Sequence, residues 1–473
     1  MASDDVKSPM YFVSLDLTNI KCFGQLTTLD LRDSAGAIAP WTLILGDNGV
    51  GKTSLLKCLA WMSPVIDPLT PEEEKAKLES DKSTEQMEAE GMTRIKPNLD
   101  DLEDETEFEK LIRIGADVRS TIEASFSFGA ALGEKPADGE LVTLGMSLVR
   151  EKGKLEKVLP RKSSLKTVTF PNLYAYGANR HMETKNLEDE RLKDPILNLF
   201  SNDGALYDAE EVLVTLEYAS LKPETKERGT VLFERVKKLL ADLLPDVEGP
   251  DAFVIGSPLR SDNSLGRSRV EVTTPYGRVQ ISELSLGYKT MLSWALDLAL
   301  RMFWKNEDKV APLEEPAIVI MDEIDLHLHP RWQRNVRDYL VGYFPKTQFI
   351  CTAHSPFMAQ ASAGDNLCVV HRRGNQAFIQ NDPVVFNTWR IGQFVTSELF
   401  EVASERGKET EAKVNRRRTL LDNQQRTIEE DKELAGLDTE LANLPVDAEG
   451  SDERLINALE KLTAEIKGGR TQA

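Results

Sequence analysis

The stretch Trp41-Thr42-Leu43-Ile44-Leu45-Gly46-Asp47-Asn48-Gly49-Val50-Gly51-Lys52-Thr53-Ser54-Leu55-Leu56-Lys57-Cys58-Leu59-Ala60-Trp61 decides how the rest of the chain is read. Trp41 to Leu45 is an uninterrupted apolar run, as expected of a strand buried on both faces. From Thr53 onward the apolar residues take helical spacing. Between strand and helix, Gly46 to Thr53 matches G-x-x-x-x-G-K-[ST] in the context that motif requires. Its glycines let successive backbone N–H groups curl around phosphate oxygens, and the helix start adds positive potential. Lys52 can reach the β- and γ-phosphates of a nucleoside triphosphate, and the Thr53 hydroxyl can ligate Mg²⁺. Asn48, Gly49, Gly51 and Ser54 complete the expected nucleotide-binding set.

Three more stretches follow in chain order. Leu284-Ser285-Leu286-Gly287-Tyr288-Lys289-Thr290 precedes a long apolar helical pattern. A Ser-x-Gly at a helix start offers a hydroxyl, free N–H groups and room for a phosphate, although alone it is a common helix cap. Ala317 to Met321 is a second buried strand, and it ends in Asp322-Glu323. Asp322 is placed to hold magnesium, and Glu323 to polarise an attacking water as a general base. Thr352-Ala353-His354-Ser355-Pro356 follows a third apolar strand. A lone histidine there is usually a packing or capping residue.

In this order the motifs resemble those of ATP-binding-cassette (ABC-type) ATPases. Asn19-Ile20-Lys21-Cys22-Phe23, the stretch Asp322 to Gln333 and Thr352 to Phe357 narrow the resemblance to the SMC/RecF-like branch. Within it the chain is similar to stand-alone bacterial ATPases grouped with the OLD-family and Septu/retron anti-phage ATPases. Tyr176-Gly177-Ala178-Asn179-Arg180 and Trp389 to Phe400 fit that group less distinctively. The resemblance implies an α/β P-loop NTPase head that uses ATP and Mg²⁺. It also implies a head-to-tail homodimer, in which ATP on Lys52 and Thr53 of one subunit is sealed by Ser285 and Gly287 of the other. Glu323, His354 and Lys52 become the catalytic set, with His354 as the switch histidine at the γ-phosphate, while Thr53 and Asp322 become the Mg²⁺ residues. Residues 325–330 become the loop crossing between sites. Arg180 and Lys21 are expected on the γ-phosphate side or at the dimer interface, or else in a structural ion pair.

The chain has 473 residues, 41% hydrophobic and 29% charged, with net charge −20. That is enough apolar residue for a sizeable core and excludes disorder of the whole chain. No run approaches about 18 apolar residues, so no transmembrane helix and no membrane partner is expected. The acidic start Met1-Ala2-Ser3-Asp4-Asp5 does not resemble a signal peptide. Cys22, Cys58, Cys351 and Cys368 are too scattered for a disulfide frame or zinc site, so the expected location is cytoplasmic.

Four regions are expected. Residues 1–66 form the first part of the head, with strands near 11–17 and 26–31. Residues 67–117 form an exposed acidic insertion, where longer relatives carry a coiled-coil arm. Residues 118–404 form the rest of the head, with strands near 121–128, 141–150 and 172–176. That part includes an amphipathic helix over 229–244, with Val231, Leu232, Val236, Leu239, Leu240 and Leu243 on one side, and a hairpin turning at Pro275-Tyr276-Gly277. Residues 405–473 form a helical partner-binding or oligomerisation appendage, striped by Leu420, Leu421, Ile428, Leu434, Leu437 and Leu441. An interruption at Pro445 and 447–451 leads to a last helix near 455–466.

Two functions follow from the resemblance. One is an ATPase of an anti-phage defence system that controls a separate effector, a nuclease, since 405–473 lacks the pattern of the Toprim nuclease domain. The alternative is a DNA-repair or recombination ATPase acting on DNA. Net charge −20 disfavours nucleic acid, but much of it lies in 67–109, away from the phosphate motifs. Arg372-Arg373 and Arg416-Arg417-Arg418 are the basic clusters such contacts would use. The spacing from Lys52 to Ser285 speaks against a membrane-transporter subunit. His327 and His329 could share a face toward a metal, but no third ligand is near beyond Asp325.

Overall fold

The computed structural model describes residues 9–66, 92–99, 109–116, 119–137, 139–151, 154–161, 163–166, 170, 172–180, 194–201, 206–244, 247–257, 269–307, 309–362, 364–381, 407–423 and 425–441. They fall into two compact units, Met1–Glu401 and Val402–Ala473.

In the first unit four sheets share β1 to β17. An antiparallel sheet is built from β1 (Met10–Thr18), β2 (Thr27–Asp30), β6 (Ser120–Phe128), β7 (Leu141–Glu151) and β8 (Lys154–Arg161). The central sheet has the order β10-β14-β15-β3-β16-β17, from Asn172–Tyr176, Ala317–Met321, Thr347–Thr352, Trp41–Gly46, Asn366–Arg373 and Gln376–Asn381. Its first five strands are parallel; only β17 runs against its neighbour. Small sheets pair β4 (Pro64–Ile66) with β5 (Met92–Pro97) and β9 (Ser163–Lys166), and β11 (Phe253–Ile255) with β12 (Val270–Thr274) and β13 (Gly277–Gln280).

Both faces of the central sheet are covered, which is why its strands read as continuous apolar runs. Trp41, Leu43, Leu45, Tyr174, Tyr176, Val319, Met321, Phe349 and Cys351 face one core. Helices Ala209–Leu221, Lys226–Leu243 and Leu286–Lys305 also contribute to that core. Their alternates Ile44, Leu173, Ala175, Ile318, Ile320 and Ile350 face the other core, with α1 (Lys52–Trp61) and the antiparallel sheet. A strand's period of two divides each run between the two cores.

The two sheets are tied by a buried polar ring. Gln348 is fully buried; its Oε1 accepts the Phe12 N–H at 2.9 Å and its Nε2 donates to the Phe12 carbonyl at 2.8 Å. The carboxamide thus imitates a strand partner.

Three expectations change. Val231 is 48% exposed, whereas Leu232, Val236, Leu239, Leu240 and Leu243 are buried, because one position on a helix turns a side chain by about 100°. The exposed-insertion reading of 67–117 gives way at two places. Residues 92–97 form β5, and Leu111 and Ile112 are buried, with the Lys21 N–H donating to the Leu111 carbonyl and the Arg113 N–H to Asn19. Residues 67–91 and 100–108 lie outside the described residues.

In the second unit the appendage breaks earlier than expected. Its helices are Lys408–Asp422 and Ile428–Leu441. Asn423 Oδ1 accepts the Gln425 N–H, and Arg426 donates to the Leu420 and Asn423 carbonyls, closing the first helix. Thr427 and Glu430 exchange side-chain and backbone hydrogen bonds, a capping box that opens the second. Of the stripe, Leu420 is buried and Leu434, Leu437 and Leu441 are half-buried, whereas Leu421 and Ile428 are exposed; pairs Arg416–Glu433, Arg417–Asp438 and Lys413–Glu440 also join the helices. Arg416 and Arg417 therefore spend their charge inside the hairpin. The expected interruption and last helix lie beyond the described residues. Among the described residues no helix is long and apolar enough to cross a membrane.

Gln348→Leu keeps the volume but strands the Phe12 N–H and C=O in the core. The expected loss is about 2–4 kcal/mol, seen as a lower denaturation midpoint. An unchanged midpoint would show that the ring does not hold the sheets together.

Candidate nucleotide site

Parallel order puts the C-terminal ends of β10, β14, β15 and β3 on one edge, and each runs on into a motif. Along that edge come Arg180, Asp322-Glu323, His354 and the Gly46–Thr53 loop. The strand order alone brings residues more than 300 positions apart into contact, as Lys52 and His354 are.

The loop ends in α1, whose first turn carries neither a capping side chain nor an acidic residue. Its N–H groups are thus open to an anion. Gly51 has φ 106°, and a Cβ there would collide with Cys22 Sγ and the Phe23 ring. Asp47, Asn48, Gly49 and Thr53 are exposed, and Gly51 and Ser54 are half-buried. Lys52 is 6% exposed and its ammonium is saturated. It donates to the Gly46 carbonyl at 2.8 Å and the Asp47 carbonyl at 2.9 Å, and meets His354 Nε2 at 2.8 Å.

Asp322 and Thr53 meet directly, Thr53 Oγ1 donating to Asp322 Oδ2 at 2.6 Å. Asp322 Oδ1 accepts the Thr352 hydroxyl at 2.6 Å, and Thr352 Oγ1 in turn accepts the Glu323 N–H at 2.7 Å. Glu323 is half-buried, with a left-handed backbone at φ 47°. Asp325 accepts the His354 N–H at 2.9 Å.

Electrostatics keep the histidine neutral. Burial, and then the Lys52 ammonium, pulls His354 below the ordinary imidazole value, against Asp325, Glu323 and Asp322. Burial likewise lowers Lys52, opposed by Asp322, Glu323, Asp325 and Asp47. A neutral Nε2 can accept from the ammonium, and a protonated one would repel it.

Ser285 and Gly287 lie in a different place. They line a cleft of roughly 290 Å³ with Tyr288, His327, His329, Arg331 and Trp332. Ser285 is exposed. A Cβ on Gly287 would strike the His327 carbonyl, so within its own chain this glycine lets helix Leu286–Lys305 approach the 325–329 loop. His327 (φ 65°) and His329 belong to this loop, and His329 Nδ1 accepts the Arg331 N–H as a helix cap. Among the described residues no group of three or more His, Cys, Asp and Glu side chains is arranged to hold a metal ion.

Arg180 is buried and, among the described residues, forms no ion pair. It is 3% exposed, and it donates to the carbonyls of Asp322 and Glu323, each at 2.6 Å. Burial brings its guanidinium down to about 10, so it remains charged at neutral pH. Lys21 is exposed, beside Cys22, whose thiol meets the Val50 carbonyl at 3.3 Å.

Several residues of the site take roles that the motifs do not give them. Thr352 bridges Asp322 and Glu323. Gln333 donates to the Asp325 and Leu328 carbonyls and accepts from Ser355, fixing the 325–329 loop against the histidine segment. Asp297, fully buried, accepts from Tyr176 at 2.8 Å and from Arg301 at 2.6 Å. The signal for this last group was present: a carboxylate inside the apolar run Trp294 to Leu300, with an arginine four residues on.

Residues 42–358 match the AAA_21 family, "AAA domain, putative AbiEii toxin, Type IV TA system", and the chain belongs to that family. It is similar to the "Retron Ec83 probable ATPase" of Escherichia coli, 36% identical over 155 residues, 32% of this chain and 28% of that protein. The "Septu protein PtuA" of Bacillus mycoides (strain KBAB4) is 24% identical over 396 residues, 82% of this chain and 45% of the relative. The chain thus spans less than half the length of these curated relatives. A solved SMC head bound to the C-winged helix domain of ScpA is 18% identical, with TM-score 0.39, covering 78% of this chain and 97% of its own.

A histidine held below its ordinary value in the fold takes up a proton in the unfolded chain near pH 6.5. Unfolding therefore binds protons as pH falls through 6.5, and this contribution to stability is lost on the acid side. Wild-type protein without nucleotide is expected to lose more thermal stability than His354→Gln between pH 7.5 and 5.5. Parallel curves would contradict the assignment.

Proposed function

We propose that this chain binds ATP with Mg²⁺ at the Gly46–Thr53 loop and hydrolyses it, as the ATPase of an anti-phage defence system that controls a separate effector, a nuclease. The observation that carries the ATPase reading is the meeting of Lys52, Thr53, Asp322, Glu323 and His354 at one sheet edge. The defence reading rests on similarity to retron and Septu proteins.

Thr53 Oγ1 and Asp322 Oδ2 are hard oxygen donors already 2.6 Å apart, a pair suited to Mg²⁺, which takes few protein ligands and completes its shell with water and phosphate. When bound, Mg²⁺ supplies charge neutralisation at the β- and γ-phosphates. Lys52 delivers its ammonium to the same oxygens, exchanging a present partner for phosphate. The open start of α1 adds N–H donors. Glu323 accepts a proton from the attacking water, and His354 meets the γ-phosphate once Lys52 releases it.

Ser285 and Gly287 serve the nucleotide of a second copy, so the active unit is a homodimer of heads. Their location in a cleft away from Lys52 supports action in trans. The 405–473 region is the docking element for the effector; its exposed second helix supports that role.

Glu323→Gln is expected to retain ATP and lower turnover by about 10²–10⁴-fold. Turnover near wild type would remove Glu323 as the base. Lys52→Ala is expected to weaken ATP binding by about 10–100-fold, the loss of charge-assisted contacts. Lys52→Ala and Ser285→Arg, each inactive alone, should restore activity when mixed, because one of the two composite sites is then intact. Failure of mixed dimers to recover would argue against sites shared between copies. Deleting 405–473 should abolish co-purification of the effector and leave ATP binding unchanged.

A further inference from the structure

We infer that Arg180 positions Glu323 by clamping the backbone of the Asp322-Glu323 turn, and that hydrolysis depends on this clamp while nucleotide binding does not. The inference rests on the reading of Glu323 as general base.

Glu323 sits in the left-handed region at φ 47°, a conformation unfavourable for a residue with a side chain. Something must hold it there, and the surrounding hydrogen bonds identify what does. The Asp322 N–H donates to the Tyr176 carbonyl at 2.8 Å, and the Glu323 N–H to Thr352 Oγ1 at 2.7 Å. The Ile324 N–H donates to the Thr352 carbonyl at 2.9 Å. These bonds fix the N–H side of the turn. The carbonyl side has a different holder: Arg180 Nη1 takes Asp322 O and Nη2 takes Glu323 O, each at 2.6 Å. A guanidinium presents two donors in a rigid fork, and two successive carbonyls of a left-handed turn are a matching target.

The arrangement is a costly one for stability alone. Arg180 is 3% exposed, and among the described residues its Nε finds no hydrogen-bond partner and its guanidinium no ion pair. A buried guanidinium without an ion-pair partner is expensive, and apolar side chains are the ordinary filling for such a place. What the fork provides in return is direction. It sets where two peptide planes point, and with them the Cα–Cβ bond of Glu323. The arm behind Arg180 is itself anchored, because Tyr176, four residues earlier, donates its hydroxyl to the buried Asp297 on helix Leu286–Lys305.

Arg180 is a positioning residue, since it touches no reacting atom. Arg180→Lys and Arg180→Gln keep a donor but lose the fork. The test compares both with wild type, Glu323→Gln and Arg180→Lys/Glu323→Gln. It measures the Kd of a non-hydrolysable ATP analogue, single-turnover hydrolysis with protein in excess, and the thermal midpoint. Arg180→Lys is expected to keep Kd within about threefold and to lower the hydrolysis rate by about 10–100-fold, the scale of a misplaced catalytic group. In the Glu323→Gln background it should lower the rate no further. Arg180→Lys at the wild-type rate, with Glu323→Gln inactive, overturns the clamp alone. So does a loss that multiplies with Glu323→Gln, a loss tracking Kd, or failure of both Arg180 variants to fold. Glu323→Gln at the wild-type rate overturns the general-base reading, and the clamp with it.

Discussion

A parallel sheet covered on both faces has no exposed surface on which to do chemistry except its ends. That constraint organises the first unit. Ile318, Ile320 and Ile350 face one core and Val319, Met321 and Phe349 the other, so the strands cannot slip by one residue without exchanging their two faces. The register that satisfies both cores aligns Tyr176 with Met321 and Met321 with Cys351, which fixes where Arg180, Asp322 and His354 emerge. Site geometry is in this sense a by-product of core packing.

At that edge the polar groups occupy one another. Lys52 is satisfied by two carbonyls and a histidine, Asp322 by two hydroxyls, and Asp325 by the His354 N–H. These side chains satisfy one another, as buried polar groups must. Any ligand that takes one of these partners has a net affinity equal to the difference between the contacts it makes and those it displaces.

The parts of this site legible from sequence are those whose chemistry is local. The loop from Gly46 to Thr53 is one turn between a strand and a helix, so its spacing encodes its shape. The Asp322-Glu323 pair is legible because it ends an apolar run. Arg180 is marked by the Tyr176 to Arg180 stretch, but its contacts are not legible, since its partners lie more than 140 residues away and are carbonyls, which no side-chain pattern encodes. The bridging role of Thr352 is silent for the same reason: a hydroxyl at the end of a strand carries no sign of the carboxylate it meets. Gly287 shows the limit from the other side. Its smallness was assigned to a partner's phosphate, yet in its own chain it makes room for the His327 carbonyl. The early break at Asn423 is masked in the sequence because leucines on both sides keep helical spacing, while the decisive contacts are made by Asn423, Arg426 and Thr427.

The reversal at 423–427 also has a topological consequence. Lys413, in the first helix, lies 2.9 Å from Glu440, at the end of the second. The backbone thus leaves the hairpin beside the end at which it entered. A segment whose ends coincide is a detour, so lengthening or shortening both helices by whole turns alters its reach without separating those ends. Reach is the quantity that such an appendage can vary on its own, independent of the chemistry at the sheet edge.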